Sequence, residues 1–167
     1  MNKAFRVSFN SPQSGFMSLS LNAGEQQLVA AVSSAPYDSL RELIEALTSL
    51  LAAGVQGFKV KWNCEPDELD FELTADVDER VSFKAIHYTD HRRLPETGRV
   101  LFSLRGTRLE ICQGFWRALR DLRRHVATDE FDRNWRRPFP QSEMQQLTEA
   151  LRSFKRAAKA RSLTRVS

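Results

Sequence analysis

Strict alternation of apolar and charged side chains in the middle of the chain constrains the fold more than any other feature. The alternating segments are residues 58–62, Phe-Lys-Val-Lys-Trp, and residues 69–73, Leu-Asp-Phe-Glu-Leu, with a proline-containing turn between them. A period of two residues is typical of antiparallel strands that have one buried face and one solvated face. These two segments therefore predict a β-hairpin.

Cross-strand charges predict the register of this hairpin. If the turn centres on its proline, Lys61 lies opposite Asp70. Lys59 then lies opposite Glu72, and the following strand places Lys84 within reach of Asp70. We therefore expect an open sheet face with a ladder of opposite charges, and an apolar face that packs against helices.

Three segments have the three- and four-residue apolar spacing of amphipathic helices. Each begins with a possible capping box, and the pairs are Ser39 with Glu42, Thr107 with Glu110, and Ser142 with Gln145. Further alternating segments lie at residues 4–33 and 81–105. The sequence predicts an α+β fold, a largely antiparallel sheet of about six or seven strands with three helices packed on one face.

Length and composition favour one domain. A chain of 167 residues with 41% hydrophobic residues can bury a two-layer core without disulfides or metals. We place a single α+β domain at residues 1–157 and a basic, fraying C-terminal tail at residues 158–167. No apolar run reaches the length of a membrane span, and the N-terminus lacks a secretion signal. We expect a cytoplasmic protein without membrane contact.

The net charge of +4 conceals a strong asymmetry. Residues 1–97 contain 9 Lys/Arg and 14 Asp/Glu, whereas residues 98–167 contain 16 and 7. One interpretation is that the two halves attract each other across the folded molecule. The other is that the basic half binds an acidic partner.

Two basic groups are candidate partner-binding sites. The first, on the exposed face of the second helix, comprises Arg117, Arg120, Arg123 and Arg124. These side chains suit phosphate contacts, to which the tail could add, or they form a solvated face in which Asp121 pairs with Arg117 and Arg124. The second comprises Trp135, Arg136 and Arg137. An exposed Trp135 would mark a contact surface, and a buried one would cover the helices.

Catalytic and metal signatures are weak. The sequence contains no Gly-x-Ser-x-Gly elbow, glycine-rich phosphate loop or dinucleotide fingerprint. The side chains with metal-ligand chemistry are Cys64, His87, Asp90 and His91, without paired Cys-x-x-Cys or His-Glu-x-x-His spacing. We assign no enzyme activity, no metal and no cofactor.

Two short motifs carry a family resemblance. They are residues 62–66, Trp-Asn-Cys-Glu-Pro, at a strand end, and residues 135–140, Trp-Arg-Arg-Pro-Phe-Pro, before the final helix. In this combination the chain resembles a loose group of small uncharacterised bacterial proteins, some of which look like immunity proteins of toxin systems. The resemblance implies a β-meander followed by two C-terminal helices.

The sequence thus leads to two functional hypotheses. The first is a non-catalytic bacterial protein that binds another protein, with an immunity or inhibitor role that blocks a partner toxin. The alternative is a nucleic-acid-binding accessory protein that uses the arginine-rich helix and the C-terminal tail. The basic C-terminal half departs from the acidic surface expected of an inhibitor of a basic nuclease.

Overall fold

The computed structural model describes residues 4–54 and 56–166. Over these residues the chain forms an α+β fold with one seven-stranded antiparallel sheet in the order β1 to β7, which confirms the predicted fold class. The strands are β1 Phe5–Phe9, β2 Phe16–Ala23, β3 Gln26–Ser33, β4 Gln56–Asn63, β5 Glu68–Ala75, β6 Arg80–Tyr88 and β7 Arg99–Thr107. The α-helices are α1 Ser39–Leu50, α2 Arg108–Arg124, α3 Phe131–Trp135 and α4 Gln141–Thr164, and a 3₁₀ turn spans Pro95–Thr97.

The predicted hairpin register is confirmed. Lys61 pairs with Asp70 and Lys59 with Glu72 between β4 and β5. The Lys59 ammonium lies 3.6 Å from the Glu72 carboxylate. Lys84 lies directly opposite Glu72 and continues the ladder of opposite charges, while Asp70 is its diagonal neighbour on β5 and has Ile86 as its register partner.

The sheet divides after its third strand. β3 pairs with β4 through Ser33, which lies opposite Asn63, and α1 connects these two strands. At its other end β3 reaches the edge strand β7. There the side-chain amide of Gln26 donates from Nε2 to the Ser103 carbonyl at 2.8 Å, and its Oε1 accepts from the Ser103 backbone amide at 3.0 Å. The Gln26 side chain therefore occupies the place of a neighbouring strand.

An aromatic cluster joins the two parts of the sheet to α2. The Phe5 ring of β1 lies 5.9 Å from Phe83 of β6, 6.0 Å from Phe102 of β7 and 5.2 Å from Phe115 of α2. Gly114 of α2 permits this approach, because a Cβ built there would lie 2.5 Å from the Phe5 Cδ1 atom. The core is thus closed by β1 packing directly on α2.

One of the three predicted capping boxes forms. The Thr107 hydroxyl accepts from the Glu110 amide at 3.0 Å, and the Glu110 carboxylate accepts from the Thr107 amide at 3.1 Å. Ser39 instead donates its hydroxyl to the Lys61 carbonyl, so tertiary contact with β4 replaces the cap. α4 begins at Gln141 after Pro140, without a side-chain cap, so the predicted box at Ser142 is wrong.

The C-terminal segment is helical further than expected. α4 runs unbroken to Thr164, so the boundary placed between residues 157 and 158 falls inside a helix. Met144, Leu147 and Leu151 are buried, and Phe154 is half-buried. No helix among the described residues is long and apolar enough to cross a membrane.

Candidate partner-binding surfaces

The arginines of α2 form an exposed group with partial internal pairing. Arg120 donates to the Asp121 carboxylate from Nε at 3.2 Å and from Nη2 at 3.1 Å, and its guanidinium lies 5.1 Å from the Trp116 ring centroid. Arg124 lies 3.6 Å from the same carboxylate. Arg117 is exposed and Arg123 half-buried, and neither forms an ion pair among the described residues. Asp121 therefore pairs with Arg120 and Arg124, and its expected pair with Arg117 is wrong. The solvated-face interpretation therefore accounts for Arg120 and Arg124 and leaves the other two arginines of this group without an ion pair in the described part of the chain.

The basic part of α4 lies at the other end of the helix pair. Trp116 Nε1 donates to the Thr148 hydroxyl at 2.9 Å, and further along, Arg108 and Arg161 line one cleft. Since the helices are antiparallel and rise about 1.5 Å per residue, Arg124 and Arg161 are separated by about 30 Å along the helix axes. The far end of the tail therefore lies away from Arg124, whereas Arg152 lies one turn beyond Thr148, the residue that contacts Trp116. That the tail adds to the α2 arginines stays a prediction.

The second half of α4 carries positive charge without compensation. Six basic residues and no acidic residue follow Glu149, and the basic ones are Arg152, Lys155, Arg156, Lys159, Arg161 and Arg165. All six are exposed. Within residues 4–54 and 56–166, none of them forms an ion pair with a carboxylate. Residues 152–165 are called the basic segment below.

Two other arginines of the basic C-terminal half form ion pairs with carboxylates of the acidic N-terminal half. Arg105 lies 2.7 Å from Asp78 and 3.5 Å from Asp76 at the β5–β6 turn. Arg108 is buried and donates from Nε to Glu79 at 2.6 Å. It also donates to the carbonyls of Leu50 and Gly54 at the end of α1, at 2.5 and 2.7 Å. The acidic turn is thus a structural partner of α2 and β7.

Of the two alternatives for Trp135, the structure shows the buried one, so this side chain is not available as a contact surface. Trp135 is 1% exposed. Its ring centroid lies 6.3 Å from that of Phe131, and the Phe131 centroid lies 5.5 Å from that of Phe139. A short helix, α3, carries the rings of Phe131 and Trp135 onto the core. Arg136 is exposed, and its aliphatic part lies over Gly15.

Both motifs of the family resemblance converge on one loop. Arg137 donates from Nε to the Ser34 carbonyl at 2.5 Å and from Nη2 to the Pro36 carbonyl at 3.1 Å. Asn63 donates to the Ala35 carbonyl between them at 2.7 Å. The two motifs therefore hold residues 34–36 together, and Arg137 is engaged within the fold rather than free for a partner.

The part of the sheet face expected to be open is covered by a polar cluster. Asp70 is fully buried, and both of its carboxylate oxygens accept from Arg93 Nε, at 3.1 and 3.0 Å. Glu68, 3% exposed, accepts from the Tyr37 hydroxyl at 2.8 Å and lies 3.5 Å from Arg93. Burial opposes the charge of Arg93, but the hydrogen bonds that it donates to Asp70 and Tyr37 raise its pKa above the usual range. The loop after β6 is thereby fastened onto β5.

The side chains considered as metal ligands do not converge. His87 pairs with Asp67 at 2.9 Å, whereas Asp90 accepts from Arg92 Nη2 at 2.7 Å, which lowers the pKa of Asp90. Burial, followed by the charges of Glu68 and Asp67, raises the pKa of Cys64 to about 12. Across the residues that the structure describes, no group of three or more His, Cys, Asp or Glu side chains is placed to hold a metal ion.

Sequence reasoning missed residues that shape the clefts beside α4 and the polar cluster on β5. Arg80 and Phe154 line clefts beside the basic segment, and Arg93 covers Asp70. For the clefts beside α4, the available sequence signal was the absence of acidic residues after Glu149. For Arg93 no local pattern existed, because its partner lies 23 positions away.

Comparison with known proteins gives no relative. No family model, no curated protein and no solved structure matches this chain.

Proposed function

We propose that this chain is a non-catalytic protein that binds another protein, and that the partner presents an acidic surface to the basic segment of α4. The observation that carries the proposal is uncompensated charge: six exposed basic side chains have no carboxylate partner in the described part of the fold. Exposed charges of one sign attract the opposite sign over a Debye length of about 8 Å at physiological salt.

The other conspicuous ionisable groups support a non-catalytic role. Asp70, Asp90 and His87 are each held by a side chain of the same molecule. Arg93 fastens the loop after β6 to β5, Asp67 joins the start of β5 to the end of β6, and Arg92 pairs with Asp90 within the loop. These groups act as structural ion pairs in the proposed function.

Apolar side chains within and beside the basic segment favour a protein partner over a nucleic acid. Leu163 and Val166 are 67% and 88% exposed. A phosphate backbone rewards positive charge, whereas protein interfaces combine arginine with apolar contact. Exposed leucine and valine beside arginines therefore suit a partner that supplies both carboxylates and apolar side chains.

The narrower part of the proposal is that the partner is a toxin whose functional site this protein occludes. It rests on the resemblance of residues 62–66 and 135–140 to immunity-like proteins. Since both motifs bind the loop at residues 34–36, the resemblance concerns a shared architecture and not a shared contact surface.

Nucleic-acid binding is the second candidate, favoured by the length of the acid-free basic helix and by the α2 arginines. Measuring fluorescence anisotropy of a generic duplex over a range of salt concentrations tests it. Backbone neutralisation predicts that log affinity falls linearly with log salt concentration. Charge reversal at Arg120 and Arg124 should then abolish binding, and a flat salt response excludes this candidate.

Co-expression with the product of a neighbouring gene tests the first candidate. We expect a stoichiometric complex by size-exclusion chromatography with light scattering. The double variant Arg156→Glu/Lys159→Glu should weaken it, because two attractive contacts become repulsive.

The matched control is Lys84→Glu/Arg99→Glu, which makes the same charge change at exposed positions of β6 and β7. It should leave the complex intact. Equal loss in both double variants would show that overall charge and not the basic segment drives association, and absence of any complex would remove the proposal.

A further inference from the structure

Two adjoining clefts lie along the inner side of the basic segment. The first, about 440 Å³, lies between the end of α1 and α4 and is lined by Leu51, Ala53, Phe154 and Ala157 among others. The second, about 660 Å³, continues between α4 and the β5–β6 turn. Glu79, Phe154 and Arg161 line both, so we treat them as one surface, named the α4 cleft.

The floor of the α4 cleft is apolar and partly exposed. Phe154 is half-buried at the point where the two clefts meet. Val166 lines the second cleft at 88% exposure, and Val77, also 88% exposed, lies next to Asp78 in the bordering turn. Exposed apolar side chains that gather around a concave surface mark a contact site more than scattered ones do.

The unpaired charge at the α4 cleft is positive. Its two acidic residues are already neutralised, Asp78 by Arg105 at 2.7 Å and Glu79 by Arg108 at 2.6 Å. Arg80, Arg161 and Arg165 line the second cleft, and their side chains form no ion pair within the described residues. An apolar floor flanked by three unpaired guanidinium groups is complementary to carboxylates attached to an apolar chain.

We infer that the α4 cleft binds a short acidic segment of the partner protein, with an apolar side chain against Phe154 and carboxylates on Arg80, Arg161 and Arg165. This inference rests on the proposed function and assigns it a surface. Arginine suits the role because its planar fork binds a carboxylate through two parallel hydrogen bonds. The α2 arginines, at the other end of the helix pair, lie outside this surface.

The test uses the full chain, labelled with ¹⁵N, and a set of synthetic peptides rich in Glu that contain Leu or Phe. We expect amide shift changes concentrated at Val77, Phe154 and Arg161 upon titration. Peptides of equal charge without apolar residues should bind at least about tenfold more weakly, since one lost apolar anchor is worth about 1.4 kcal/mol or more.

Variants of α4 make the test specific. Ala157→Trp fills the cleft and should abolish peptide binding, whereas Ala160→Trp, on an exposed position that does not line it, should not. Arg161→Glu should weaken peptide binding at least about tenfold. Thermal melts of each variant establish that the fold is retained.

Several outcomes overturn the inference. Shift changes confined to the α2 arginines, or equal binding by Ala157→Trp, would place the peptide elsewhere. Tighter binding of a single-stranded oligonucleotide or of anionic phospholipid vesicles at the same amides would assign the cleft to another ligand class. A partner complex that is lost in Arg156→Glu/Lys159→Glu but survives Ala157→Trp would overturn the cleft alone and leave the proposed function standing.

Discussion

The Arg93 guanidinium and the Asp70 carboxylate form a buried ion pair in which Nε lies 3.1 and 3.0 Å from the two carboxylate oxygens. Asp70 has no exposed surface, and the side chain of Arg93 is 13% exposed. A charged carboxylate in such a place depends on its partner, because burial without compensation is costly.

Arg93→Ala should therefore lower the free energy of unfolding by about 3 kcal/mol or more, since it leaves the Asp70 charge buried and alone. Urea denaturation followed by circular dichroism measures the change. Arg92→Ala, which removes a neighbouring exposed pair with Asp90, should change stability little. Equal effects of the two variants would contradict the structural role of Asp70 and Arg93.

Thr107→Ala should destabilise the protein by about 1 kcal/mol, because it removes the hydroxyl that accepts from the Glu110 amide at the start of α2. The matched variant Ser142→Ala changes a residue with the same sequence signature but no cap in the structure. Its midpoint of urea unfolding should remain that of the parent. A comparable loss in Ser142→Ala would contradict the assigned start of α4.

Gly114→Ala should cost about 1 to 3 kcal/mol, because the added methyl group meets the Phe5 ring at 2.5 Å and the Phe5 carbonyl at 3.3 Å. Gly57→Ala is the control, since a Cβ at Gly57 meets nothing within 4 Å. Thermal unfolding of both variants measures the difference. If Gly114→Ala were as stable as Gly57→Ala, β1 would not pack closely on α2.

Alkaline pH should weaken the fold through its two thiols. Burial raises the pKa of Cys64 and of Cys112 from 9.0 to about 12. The folded state therefore holds these protons more tightly, so their contribution to stability is complete below pH 9 and is lost as the pH rises from 9 toward 12.

Urea midpoints of the parent and of Cys64→Ser at pH 8 and pH 10 test this dependence. The parent should lose more stability than the variant across the interval, because the variant lacks one of the titrating groups. At pH 8 an alkylating reagent should modify the native thiols far more slowly than those of the urea-unfolded chain. Identical pH dependence in the two proteins would contradict the raised pKa of Cys64.

Local patterns determined the parts of the fold that depend on near neighbours. The register of β4 with β5 followed from alternation across a short turn, and the cap of α2 from residues three positions apart. The capping signature at Ser39 was misleading because a contact 22 residues away, with the Lys61 carbonyl, takes its hydroxyl. A local signal predicts structure only where no distant partner competes for the same atom.

For the candidate surfaces, the sequence identified the basic residues but not their arrangement. It suggested that the tail could add to the α2 arginines, and antiparallel packing of α2 and α4 places Arg161 beside Arg108, at the opposite end of α2 from Arg124. It also left the exposure of Trp135 open. Trp135 is buried because α3 turns Phe131 and Trp135 toward the core.

By itself the sequence determined an antiparallel α+β architecture, the β4–β5 register, the start of α2 and a strongly basic C-terminal half. Periodicity and capping act over a few residues, so they can be recognised in one dimension. The tertiary structure alone decided that Arg93 covers Asp70, that Arg108 neutralises Glu79, and that the charge of α4 remains unpaired. Such pairings depend on which distant side chains the folded chain brings within a few ångströms, and burial then sets how much each charge matters.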